Sequence, residues 1–249
     1  KGLAMRISTY ALWAGIARAV FAAWGAYWAV QRAAVAGVAA EASAQWRAQG
    51  WRAELSEAPA TGFPNRLDVD LTDIVVSPPN GAWLWTGDRA RARMLTYRQN
   101  HLVVEWPNRQ TLQINGEVWQ VWAKPMLSSL VFENGALARF SWDAPNLKMK
   151  SSRQEISIDR AQLHLRAAPS EVGDFDYYIS LEGVWGAFPT PDDGGPVRLS
   201  GRFSAPNGLL SADGRLTSDI QRISLTEGDP VLARYLFELV GLPGPAPNN

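Results

Sequence analysis

The 249-residue sequence has no cysteine, two histidines and no net charge. Without cysteine there is no disulfide, no thiol nucleophile and no thiolate metal site. Twenty-four basic residues balance twenty-four acidic ones, so nothing draws the chain as a whole toward nucleic acid. There is no Gly-rich phosphate loop, no histidine pair at metal spacing and no serine in a nucleophile elbow. The expectation is a chain with no enzymatic activity, no metal and no cofactor. Acidic residues are also missing from the start: the first is Glu41, and between Ile7 and Gln31 the single charge is Arg18.

That charge-poor stretch predicts a membrane anchor over residues 1–32. Ile7 to Val30 would measure about 36 Å as a helix, enough to cross a bilayer core. Its aromatics fall in two groups, Tyr10 and Trp13 at one end and Trp24, Tyr27 and Trp28 at the other, as in membrane-interface belts. Lys1 and Arg6 before the span outweigh Arg32 after it, which puts the N-terminus in the cytoplasm and the main domain outside. Arg18 opposes the reading, since a central arginine costs roughly 2.5–3.5 kcal/mol on insertion. Ala11, Gly15, Ala19 and Ala23 fall four residues apart and, with Arg18, form a candidate helix-packing face. Ala34-Val35-Ala36 would also suit a signal peptidase, but a retained anchor is the expectation.

Helical composition continues over 33–50 as a stalk ending at Gly50. From 51 to 228 the pattern changes to period two, which predicts a large curved antiparallel sheet or β-sandwich, mainly β, of roughly ten or more strands. Asn115-Gly116 and Asn134-Gly135 read as two-residue hairpin turns. Around the first, Leu112, Ile114, Trp119 and Val121 share a face. Around the second both faces are apolar, with Leu130, Phe132 and Leu137 on one and Val131, Phe140 and Trp142 on the other. A hairpin apolar on both sides is covered on both sides or touches an apolar ligand, so these six are the candidate lipid contacts. Ile156 and Ile158 alternate out of phase with Ala161, Leu163 and Leu165, which predicts a bulge near Asp159-Arg160. Residues 187–196 read as a loop. Asp229 and Pro230 predict a capped C-terminal helix over 229–241, with Leu232, Tyr235, Leu236 and Leu239 on one side, before a flexible tail over 242–249.

Few residues here carry chemistry. His101 reads as a hydrogen-bonded histidine and His164 as a polar-face strand residue, neither with a partner the sequence shows. Asp174/Asp176 and Asp192/Asp193 match no calcium-loop spacing. Arg89, Arg91 and Arg93 project from one strand face; such a row could grip lipid headgroups, or pair across strands with Asp68, Asp70 and Asp73.

The run "GFPNRLDVDLTDI", then "WLW", then "TYRQNHLVVEWPNRQTL", within residues 62–112, resembles the bacterial family known as domain of unknown function 2125. Gln99 departs from the proline expected there. The resemblance implies an N-terminal anchor, a short helix ending in a Gly-Trp step and a β-rich envelope domain. It brings no catalytic residues, since the family has no established activity. "LSGRFSAPNGLLSADGRL" is faintly similar to AsmA-type envelope proteins associated with lipid handling. The combined expectation is a non-catalytic single-pass protein of the bacterial inner membrane. Its periplasmic β domain would contact membrane lipid or another apolar ligand. The alternative is an accessory subunit docked on other inner-membrane proteins through its transmembrane helix.

Overall fold

In the computed structural model, residues 9–169, 173–186, 196–206, 208–210, 220–239, 242 and 244–245 are described, the side chains of 9–15 and 239 excepted. Two helices lead in. α1 is Thr9–Val35 and α2 is Val38–Ala48. Twelve strands follow: β1 Arg52–Glu57, β2 Arg66–Ser77, β3 Trp83–Leu95, β4 Arg98–Glu105, β5 Arg109–Ile114, β6 Glu117–Trp122, β7 Leu127–Glu133, β8 Ala136–Lys150, β9 Glu155–Ala167, β10 Asp174–Gly186, β11 Val197–Ser204 and β12 Gln221–Glu227. α3, Pro230–Leu239, closes the order.

The expected single helix is broken. Gly37, at φ 86°, caps α2 and separates it from α1. The Glu57 carboxylate accepts hydrogen bonds from the Gly37 and Ala39 amides, placing negative charge at the positive end of α2. Gly50, also at positive φ, ends α2, with the Trp51 amide donating to the Trp46 carbonyl.

The expected bilayer span is not met: among the described residues no helix is long and apolar enough to cross a membrane. Alanine, glycine, tryptophan and tyrosine fill α1 where a span would carry leucine and isoleucine. The aromatics expected at a membrane interface are instead engaged with the sheet. Trp24 Nε1 donates to the Pro64 carbonyl and Trp28 Nε1 to that of Arg66, both at 2.8 Å. The Tyr27 hydroxyl donates to the Thr96 carbonyl at 2.8 Å, and Phe21 and Trp28 meet the Phe63 ring edge-on. Tyr10, Trp13, Ala11 and Gly15 lie where side chains are not described. Arg18 and Ala19 are solvent-exposed, and Ala23 is exposed as well.

The sheet is one antiparallel meander, not a sandwich. β4 and β5 both pair with β3, one beyond the other, and β6 and β7 likewise both pair with β8. Each couple is therefore one long strand interrupted midway, at 106–108 and 123–126. With each couple counted as one strand, neighbours in sequence are neighbours in the sheet from β1 to β12.

The interruptions belong to a larger feature. Ladder partners skip Asp73 and Asp88 between β2 and β3, Asn146 and Asp159 between β8 and β9, and Asp159 and Gly183 between β9 and β10. Asp73, Asn146 and Gly183 all have positive φ, between 51° and 59°. The phase of burial flips at that level in strand after strand: Ala144 then Leu147, Ile158 then Ala161, and Ala123 then Met126 are buried. An odd spacing between buried positions moves a side chain to the other face unless the strand takes up a residue there. A single line of bends thus crosses the sheet and keeps one face apolar on both limbs. The phase change expected near Asp159-Arg160 is one point on it, although the extra backbone rotation sits in Asn146 and Gly183 on the flanking strands. At Gly183 a Cβ would stand 2.1 Å from Asp159 Oδ2, so glycine is required there on two counts.

The opening turn of the family-like run has a clear role. Gly62 at φ 99° and the cis Phe63-Pro64 peptide lead into β2, where Leu67 is buried. Loop residues 187–195, with Asp192/Asp193, and most of the tail lie outside the described residues. So does part of the expected C-terminal helix, Val240 and Gly241.

A candidate apolar ligand site on the inner face

The inner face carries two packed clusters. The smaller joins Ile74, Ala90, Val104, Leu130 and Leu137. The larger runs from Trp119 through Ile156, Phe175, Leu199 and Phe203 to Leu232 and Ala233 of α3. Trp106 and Leu209 pack on both, so the apolar surface is continuous.

α3 is held over this face by a strong local signal. Asp229 Oδ1 accepts from the amides of Val231 and Leu232 at 2.7 and 3.1 Å, and Pro230 opens the first turn. Leu232 and Ala233 are buried and the Phe237 ring meets Tyr177 edge-on at 5.4 Å. Tyr177 crosses Gly201 on β11 to donate its hydroxyl to the Ser224 carbonyl of β12 at 2.9 Å. A Cβ at Gly201 would stand 2.6 Å from that hydroxyl, which explains the glycine within a strand. Burial pushes the Tyr177 phenol up to about 12, so it stays neutral and committed as a donor.

Between α3 and the sheet lies a cavity of about 590 Å³. Its floor is Leu147, Met149, Ile156 and Ile158 on one limb of the bend and Phe140, Trp142, Leu163, Leu165 and Ile179 on the other. Ile114 and Trp119 close one side, and Tyr235, Leu236, Phe237, Leu209, Ile220 and Leu242 form the roof. The polar side chains in this lining are Gln162 and the two tyrosines, of which Tyr177 is already committed. Water needs two to four polar partners to settle in such a space, and this wall offers few. The size falls within the usual 300–1,000 Å³ of small-molecule sites.

Two of the six expected apolar contacts, Phe140 and Trp142, line this cavity. Leu130 and Leu137 are buried in the smaller cluster, with Phe132 and Phe140 packed against it. The division into two apolar faces does not hold. Leu130 pairs directly with Phe140, and a register shift between Val131 and Phe132 brings Leu137 opposite Phe132. That bulge turns five of the six to the inner face. Val131 alone, paired with His101 and Arg139, faces outward.

The outer face is polar, and the arginine row belongs to it. Arg89 reaches Asp70 at 2.6 Å, Arg91 reaches it at 2.7 Å and Arg93 reaches Glu105 at 2.5 Å. Arg66 holds Asp68 at 3.1 Å. The Arg91 hydrogen bond, helped by Arg89, lowers the Asp70 carboxyl to about 2. Asp73 does not join the arginines; Thr72 donates to it. Both histidines sit half-buried on this face beside serines: His101 Nε2 and Ser129 Oγ are 2.8 Å apart, His164 Nδ1 and Ser141 Oγ 3.1 Å. Nothing orients either ring as a base toward a reacting atom. Among the described residues no cluster of three metal-ligating side chains exists.

Sequence reasoning missed most of the cavity wall. Ile156, Ile158, Leu163 and Leu165 read as strand residues, and Ile179 and Phe237 drew no notice. The out-of-phase alternation along β9 was the available signal, since only a shared bend makes those phases agree.

Over residues 28–234 the chain matches a family described as an uncharacterized protein conserved in bacteria, DUF2125. No curated protein and no solved structure matches it.

Proposed function

The chain belongs to the bacterial DUF2125 family, and from that premise we propose that it is a non-catalytic envelope protein binding an acyl-chain lipid beneath α3. In this reading it is held at the inner membrane with its sheet in the periplasm. The observation that carries the proposal is the continuous apolar cavity bridging both limbs of the bend. From Ile156 to Leu165 the β9 contour is ~30 Å, comparable to the whole hydrocarbon thickness of a bilayer. An extended chain fits such a wall better than a compact polar metabolite. The lining supplies no charge to fix a headgroup, so the acyl part is what this site recognises and the headgroup stays outside.

The test is purification of the full chain from its native membrane in mild detergent, with bound lipids identified by mass spectrometry. The parent should carry lipid. Ile179→Trp, which places an indole into the cavity from a half-buried position, should carry roughly tenfold less, with an unchanged thermal melt as the folding control. A parent free of lipid overturns the reading. The alternative role, an accessory subunit of an inner-membrane complex, draws on the exposed apolar side chains of α1. The same purification decides it by whether other membrane proteins arrive in stoichiometric amount.

A further inference from the structure

We propose that α1 and the adjoining end of the sheet form a docking face for an anionic bilayer surface. The proposal is independent of the cavity. On α1, Ile16, Val20, Ala23 and Val30 follow one another at steps of four, three and seven residues and make one stripe along the helix. The large ones are unburied: Ile16 is 44% exposed, Val20 63% and Val30 65%. The hydrogen bonds of Trp24, Tyr27 and Trp28 dock the neighbouring side of α1 on the turns at Pro64–Arg66 and Thr96, so the stripe is carried as a fixed surface. Those turns extend it with two more aromatics, Phe63 at 43% and Tyr97 at 67% exposure.

Arginine is the prevailing charge around this surface. Arg18 and Arg98 are exposed, and Arg32 lies over the Trp28 ring. Two of the nearby carboxylates are committed, Asp68 to Arg66 and Glu57 to the start of α2, whereas Glu41 on α2 is exposed. Glu133 is the exposed acid on the next hairpin end. α1 is too weakly apolar to cross a bilayer, yet it is docked by its tryptophans and presents exposed apolar side chains with Arg18 and Arg32 beside them, which suits contact with a headgroup region. Unpaired arginines favour anionic over zwitterionic lipid there.

The sheet supplies an internal control. Trp185 is as exposed as Tyr97, at 68%, but stands at the far end of the strands. Its β10 limb pairs with Ile156–Ile158, whereas the end near α1 continues through the pair Arg139 and Arg166 to Asp176.

The full chain is mixed in mild detergent with vesicles of phosphatidylcholine, with or without an equal part of phosphatidylglycerol, and floated after detergent removal. Flotation should be several-fold stronger with phosphatidylglycerol. The double variant Val20→Asp/Tyr97→Asp should float roughly tenfold less than the parent, while Trp185→Asp should float as the parent does. Arg98→Glu, a milder change at the same end, should reduce flotation on the anionic vesicles alone, which keeps the test open if the double variant folds poorly. Equal flotation of the double variant and the parent overturns the proposal. So does equal flotation on both vesicle types, or a parent that stays unbound and self-associates. Ile179→Trp should float normally, so failure here is separable from failure of the cavity.

Discussion

The two faces of this sheet are built from the same strands and do opposite things. On the outer face arginines meet carboxylates and histidines meet serines across neighbouring strands. The inner face is largely apolar and leaves a cavity beneath α3. The hollow of about 590 Å³ is the space that the proposed lipid would fill. The arginine row was the conspicuous charge pattern in the sequence, yet the proposed ligand site is the unfilled apolar wall.

Breaking the inner face should cost most. Leu199, with no exposed surface, sits in the larger cluster. Leu199→Ala should destabilise by about 2–5 kcal/mol, read as a drop in the midpoint of denaturant unfolding; a loss below about 1 kcal/mol would mean this wall is as loosely packed as the cavity itself. Gly183→Ala tests the bend that keeps the two faces distinct. It meets both positive φ and the Asp159 side chain, so a loss of about 2 kcal/mol is expected, together with weaker lipid retention; unchanged melting would show that the bend does not depend on this residue.

The outer face should respond least. Asp70→Asn removes the shared partner of Arg89 and Arg91 and should cost about 1 kcal/mol or less near neutral pH, since partly exposed ion pairs are screened. Its signature is pH dependence. The folded carboxyl titrates at about 2, below its usual 3.8, so the contribution is fully present above about pH 4 and fades as pH falls toward 2. The parent should lose stability over that window faster than Asp70→Asn does, in melts followed by circular dichroism. Identical acid profiles would show that Asp70 carries no such role.

Much of the fold was legible before any coordinates. Asn115-Gly116 and Asn134-Gly135 are both positive-φ hairpin turns, Gly50 ends a helix, and Asp229-Pro230 starts one. These are local devices whose geometry follows from one or two residue types. Leu112, Ile114, Trp119 and Val121 do share a face, because a two-residue turn fixes register. The hairpin around Asn134-Gly135 misled for the complementary reason. A bulge at Ala138 of β8, opposite Val131/Phe132, shifts the phase by one residue, and nothing in the composition of that strand announces it. α1 shows a long-range relation of another kind: the indole donors of Trp24 and Trp28 find carbonyls of a turn about 40 residues away, and the Tyr27 hydroxyl one 69 residues away.

What the sequence determined by itself was the inventory of elements: helices first, a long run of antiparallel strands and a capped helix last. It did so because turns, caps and alternation act over a few residues. Only the tertiary structure decided that the bends of separate strands fall on one line. That agreement depends on cross-strand register, a relation between residues far apart in sequence. The cavity exists because of it: Ile156 and Leu165 belong to opposite phases of one strand, and only the shared bend turns both toward α3.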